Sequence, residues 1–161
     1  MKKIYLSFFA ALAFIASHAQ AQQQYRVVGI SDGDTVRVLD ESRQQIRCRM
    51  YGIDAPESSQ EYGARSKQSL SELIFNKTVT VEIRDQDQYG RSVCRILLNG
   101  VDINKVQIDR GMAWHYARYS NDASYAEAER TARQQHLGLW ADPDPTPPWL
   151  FRRSQKAVNY R

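Results

Sequence analysis

IRCRMYGIDAPE, residues Ile46 to Glu57, joins two patterns that decide how this chain reads. Its first half alternates, with Ile46, Cys48 and Met50 on one parity and Arg47 and Arg49 on the other. Side chains on a strand point alternately to opposite faces, so this is a strand with one apolar face and one basic face. At Gly52 the alternation stops, and Asp54, Ala55, Pro56 and Glu57 follow. Pro56 fixes its own φ, which sets the path of the backbone between two carboxylates.

On the N-terminal side, YRVVGI and DTVRVLD are β-branched runs separated by the turn signal Ser31-Asp32-Gly33. A polar turn around Glu41 to Arg43 leads into the quoted strand. Beyond it, Leu70, Leu73 and Ile74 fall at i, i+3 and i+4 and predict a helix over Glu61 to Phe75. TVTVEIR and RSVCRILL read as two more strands joined through DQDQYG. Asn99-Gly100 predicts a tight hairpin into VDI, since both residues tolerate positive φ. A short helix over Ile103 to Arg110 should stop at Gly111. A longer one is expected from Ser124 to His136, with Tyr125, Ala128 and Ala132 on one stripe. Pro143, Pro145, Pro147 and Pro148 predict an extended segment through DPDPTPPWLFRR, pinned by Trp149 and Phe151. The expected fold class is α+β, a five-stranded Greek-key β-barrel of the OB type with three helices.

The beginning of the chain reads as a signal peptide over residues 1–21. Lys2 and Lys3 form a basic start, Ile4 to Ala16 is apolar, and Ala19-Gln20-Ala21 offers small residues for cleavage. One domain over 22–142 and a Pro-rich basic tail over 143–161 would follow, in an exported protein, periplasmic or secreted. Without Lys2 and Lys3, the 22 basic residues become 20 against 18 acidic ones, and the net charge falls from +4 to +2. That balance is too mild to mark a polyanion binder. No CxxC or HExxH occurs, which disfavours a zinc site.

The chemistry lies in the turns. Asp32-Gly33-Asp34 alone is an ordinary turn, but Asp54 and Glu57 add acids at a second strand end. Carboxylate oxygens are hard ligands suited to Ca²⁺ or Mg²⁺, and a buried acidic cluster without a cation repels itself. DQDQYGR, Asp85 to Arg91, starts like a helix-loop-helix calcium loop but places Tyr89 and Ile96 where ligands belong. It reads instead as a hairpin turn presenting Tyr89 and Arg91. Arginine's planar fork matches phosphate oxygens, so Arg49 and Arg91 are candidate phosphate ligands.

DGDTV, RMYGIDAPE, DQYGR, GMAWHYARY and GLW, in that order from about Tyr25 to Trp140, together resemble the staphylococcal nuclease family. The resemblance implies an OB barrel with three helices and calcium-dependent hydrolysis of DNA and RNA phosphodiesters. It implies that Asp34 and Asp54 hold Ca²⁺ with the main-chain carbonyl of Ala55, and that Asp32 stands behind them. Glu57 would position or deprotonate the attacking water, and Arg49 and Arg91 would grip the phosphate.

The chain departs from the family pattern at Ala55, where a threonine is frequent, and in a short loop between Glu57 and Tyr62. Tyr89, Tyr116 and Tyr119 are candidate substrate-binding residues. Tyr119 aligns with one of the family's nucleotide-binding tyrosines, while Ala117, beside Tyr116, takes the place of the other. Trp114 reads as core, and His115 and His136 as structural or solvated.

Cys48 and Cys94 alternate away from Arg49 and Arg91, and their strands are neighbours in the family's barrel. A disulfide between them is therefore expected. A monomer is expected, with no membrane insertion after cleavage of the leader. The competing reading is a non-catalytic OB module that binds nucleic acid or protein. Retention of Asp34, Arg49, Asp54, Glu57 and Arg91 favours catalysis over it.

Overall fold

The computed structural model describes residues 23–159, with side chains through residue 157, so the leader expected over 1–21 lies outside the described residues. Strands β1 (Gln24–Ile30), β2 (Thr35–Leu39) and β3 (Gln45–Met50) form an antiparallel meander. A two-residue strand β4 (Ile53–Asp54) follows, and then helix α1 (Gly63–Ile74) crosses to β5 (Thr78–Gln86), which pairs with β1. Strand β6 (Ser92–Leu98) pairs with β5 and then closes on β3 in parallel, with Met50 opposite Cys94. That last seam makes the sheet a barrel. The expected five-stranded OB-type barrel is present.

The strands lean inward because their apolar parity does. Val27, Val36, Val38, Cys48, Met50 and Ile96 are all buried inside, and Leu70 and Ile74 of α1 close one end. Asn99 and Gly100 take the expected positive φ, 52° and 80°, and turn β6 back into β7 (Val101–Asp102). Helix α2 (Ile103–Asp109) is capped by Asp102, whose side chain accepts from the Lys105 N–H. Its second residue, Asn104, is wholly buried and binds the barrel seam. Its Oδ1 accepts from the Ile96 N–H at 3.1 Å, and its Nδ2 donates to the carbonyls of Tyr51 and Cys94 at 3.0 and 3.1 Å. Strand β8 (Trp114–His115) lies against β4, and α3 (Ala123–Gln134) buries Tyr125, Ala128 and Ala132 as its stripe predicts.

One expectation needs correction. Among the described residues there are four α-helices rather than three, because the tail is not extended throughout: α4 spans Pro148–Asn159. Proline breaks a helix interior but suits its first position, where the missing N–H has no partner to lose. Pro148 occupies that position, and the other three prolines precede it. Cys48 and Cys94, expected to be bonded, face each other inside the barrel as buried thiols with sulfurs 2.6 Å apart.

Candidate functional site

The β1–β2 turn is built around Asp34. Asp32 Oδ1 accepts from the Asp34 N–H at 3.0 Å and tightens the turn. Gly33 is required by crowding, since a Cβ there would stand 1.8 Å from Ser66 Oγ on α1. Asp34 is buried, with Oδ1 accepting from the Thr35 hydroxyl and Oδ2 from the Ala55 N–H at 2.6 Å. The two acidic turns read from the sequence are thus joined directly, carboxylate to backbone.

Asp54 sits in β4 opposite Trp114 of β8 and is fully buried. Arg49 bridges the pair. Its Nη1 lies 2.6 Å from Asp34 Oδ2 and its Nη2 lies 2.7 Å from Asp54 Oδ1. Nη1 is buried and close to its carboxylate, yet no acceptor lies in line with it, so a donor remains for another oxygen. Burial pushes the Asp34 carboxyl up, to about 8; Arg49 and the Ala55 N–H pull it back, while Asp32 and Asp54 push it further up. Burial also works against the Arg49 charge, but Asp34, Asp54 and Asp32 outweigh it and keep the guanidinium protonated. Such a cluster needs positive charge to stay ionised.

Glu57 follows Pro56 and is half-exposed, with its backbone N–H held by Gln60 Oε1. Its carboxylate is met by a residue that sequence reasoning left in the tail. Arg152 of α4 donates from Nη1 to Glu57 Oε1 at 2.7 Å and to Asp54 Oδ1 at 3.1 Å, and from Nη2 to Asp54 Oδ2 at 2.8 Å. The hydrogen bond to Asp54 is the largest reason that the Arg152 pKa rises above its ordinary value. The only sequence signal was the cluster Arg152, Arg153 and Lys156 after an aromatic pair.

Arg91 immediately precedes β6, whose first residue Ser92 pairs with Cys48, one residue from Arg49 along β3. Asp87 holds it, accepting from Arg91 Nε at 2.6 Å and from its backbone N–H at 3.0 Å. The turn therefore positions Arg91 without using the acids around Arg49. Tyr89, beside it, is 72% exposed and lies under the Arg91 guanidinium. Tyr116 and Tyr119 pack edge to face at 4.9 Å, with Tyr119 62% exposed. Tyr116 is also stacked on Trp149 of α4, with centroids 5.4 Å apart and planes 7° from parallel. Trp114 is core, as expected, in a cluster with Leu139 and Trp140. His115 accepts structural duties only: its N–H donates to Glu129 and its ring meets the Ser120 carbonyl.

For the cation the fit is one of donor chemistry. Among the described residues, no three His, Cys, Asp or Glu side chains form a ready-made cage. Asp34 and Asp54 nevertheless offer hard oxygens on one bridge, beside the Ala55 peptide, and guanidiniums balance their charge. Carboxylate oxygens are the donor type that a hard divalent ion takes.

The family model described as Staphylococcal nuclease homologue matches residues 47–142. An uncharacterised endonuclease of Escherichia coli O157:H7 is 42% identical over 128 residues, covering 79% of this chain and 83% of that protein. A protein named micrococcal nuclease from Shigella flexneri is 39% identical over 158 residues, covering 91% and 90%. An uncharacterised endonuclease of Haemophilus influenzae is 36% identical over 156 residues, covering 96% and 88%.

Proposed function

This chain belongs to the staphylococcal nuclease family and is a nuclease, and from that premise we propose that it hydrolyses DNA or RNA phosphodiesters with calcium, after export. The observation that carries the reading is the Asp34–Arg49–Asp54 bridge with Glu57 three residues beyond. A non-catalytic barrel has no use for two buried acids that need a countercharge.

Asp34, Asp54 and the Ala55 carbonyl are the residues proposed to hold Ca²⁺. Bound there, the ion supplies positive charge against a non-bridging phosphate oxygen. The chain's own residues do the rest. Arg49 turns its unaligned Nη1 donor to the phosphate, and Arg91, gripped at Nε by Asp87, presents the outer nitrogens of its fork. Negative charge gathers on the equatorial oxygens as water attacks phosphorus, so fixed guanidiniums bind the transition state better than the ground state. Glu57 takes the proton of the attacking water on its carboxylate while the P–O bond to the leaving oxygen breaks, and that oxygen takes a proton from solvent to leave as a hydroxyl. General-base help of this kind is worth roughly 10²–10⁴-fold. Tyr119 and Tyr89, both exposed, are the candidates for stacking on bases or sugars.

Digestion of plasmid, single-stranded DNA and RNA by the purified protein, with Ca²⁺, with Mg²⁺ and with chelator, tests the reading. Cleavage with Ca²⁺, little with Mg²⁺ and none with chelator is expected, because Mg²⁺ demands an octahedron that two irregular turns do not supply. Undiminished cleavage in chelator rules out the metal. Export is tested by the N-terminal residue of protein recovered outside the cytoplasm, expected at Gln22.

A further inference from the structure

Helix α4 touches the site at two separate points. Arg152 spreads its fork over both oxygens of Asp54 and reaches Glu57. One turn earlier, Trp149 lies flat on Tyr116 and edge-on to Trp114 at 5.5 Å. A guanidinium therefore stands where a divalent ion would draw on Asp54, and an indole stands where a base would stack. Neither residue belongs to the barrel. Both come from a helix that follows the proline-rich stretch 143–147 and docks by its N-terminal residues, Pro148 to Arg152, with residues 153–157 all exposed. Among the described residues, no other helix or strand packs closely along its backbone.

Arg49 also contacts the two aspartates, but it is fixed on a central strand and keeps a buried donor with no aligned acceptor. Arg152 differs in both respects. It is 39% exposed, its donors are committed to the carboxylates, and it stands on a helix outside the barrel strands.

We propose that α4 is an internal latch: Arg152 and Trp149 occupy the cation and base positions of the site, and filling either position displaces the helix. The inference rests on the reading of Asp34 and Asp54 as cation ligands. A carboxylate oxygen engaged by a guanidinium is not free for a divalent ion, so closure lowers the apparent cation affinity by the open fraction. A latch closed in roughly nine molecules of ten weakens binding about tenfold. The barrel then stays folded and capped when calcium is scarce, and opens as calcium or nucleic acid arrives.

Calorimetric titration of CaCl₂ into the purified protein, without substrate, tests this. Arg152→Gln should bind Ca²⁺ about tenfold tighter than wild type, and Arg152→Lys, which keeps the charge but loses the fork, should fall between. Arg153→Gln removes the same charge from the exposed neighbour and should stay within about twofold of wild type. Amide exchange should show α4 losing protection on Ca²⁺ addition to wild type. An Arg152→Gln affinity equal to or weaker than wild type overturns the latch and leaves the calcium reading intact. Failure of wild type and every variant to take up Ca²⁺ at millimolar concentration overturns both.

Discussion

Asn104→Ala should cost far more than a single polar substitution in a short helix suggests. The side chain is fully buried and serves three partners. Removing it leaves the Ile96 N–H and the Tyr51 carbonyl without the bonds they make to it, whereas the Cys94 carbonyl keeps the Tyr51 N–H at 2.7 Å. Two stranded backbone groups at about 1–3 kcal/mol each give a loss of about 3 kcal/mol, with the small void adding to it. For a domain of this size that lowers Tm by roughly 10 °C. Asn104→Asp is the sharper variant. It retains an acceptor for Ile96 but points a second acceptor at two carbonyls, so at neutral pH it should be no more stable than the alanine. Acidification should recover it in part, because a protonated carboxyl can donate again. Thermal and urea unfolding of the three proteins, at pH 7 and pH 5, provide the measurement. An alanine variant within 1 kcal/mol of wild type would refute the reasoning, since the seam would then not depend on this side chain. Turnover should fall as well at temperatures where the variant is folded, because Tyr51 opens the turn that carries Asp54 and Glu57.

Glu57→Gln should lower turnover by roughly 10²–10⁴-fold with substrate affinity kept, while Arg91→Ala should weaken affinity as well; equal affinity losses in both would contradict the roles given them. Gly33→Ala should be destabilised and nearly inactive, since its Cβ lands 1.8 Å from Ser66 Oγ and must push the Asp34 turn off α1; an active, stable variant in a melting assay argues otherwise. Cys48 and Cys94 should be oxidised to a disulfide in protein recovered from an oxidising compartment, closing a loop worth about 4 kcal/mol on the chain-entropy account; two titratable thiols per denatured, unreduced chain would end that expectation.

What was legible in the sequence was local or periodic. The face assignment of Arg49 against Cys48 needed only strand alternation, and the Asn99-Gly100 hairpin needed only the backbone freedom of those residues. Asp34, Asp54 and Glu57 were visible because acids recur at two strand ends beside one basic strand, which a single ordinary turn does not require. The misses share a different cause. Pro148 read as a breaker because its effect depends on whether it begins a helix or interrupts one, and the preceding prolines hid that boundary. Arg152 could not be placed, because its partners lie 95 and 98 residues away and the docking of a whole helix brings them together. Nothing in the local sequence singles out Asn104, and only the closed seam turns it into an interior bond. Asp87 as the clamp on Arg91 was within reach of the sequence, since the two are four apart in a turn.

The pairing of Asp54 with Trp114 has a consequence for the timing of synthesis. Asp34 waits for Ala55, and Asp54 has no backing strand until a residue 60 positions later is made. Contacts so distant along the chain form late, because the intervening loop must be closed first. A nascent chain that has cleared the ribosome only as far as the barrel strands carries every acid of the site but not the ribbon that holds them in place. The acids of an enzyme that cuts polynucleotides thus stay without their backing while the chain is tethered to the ribosome short of Trp114.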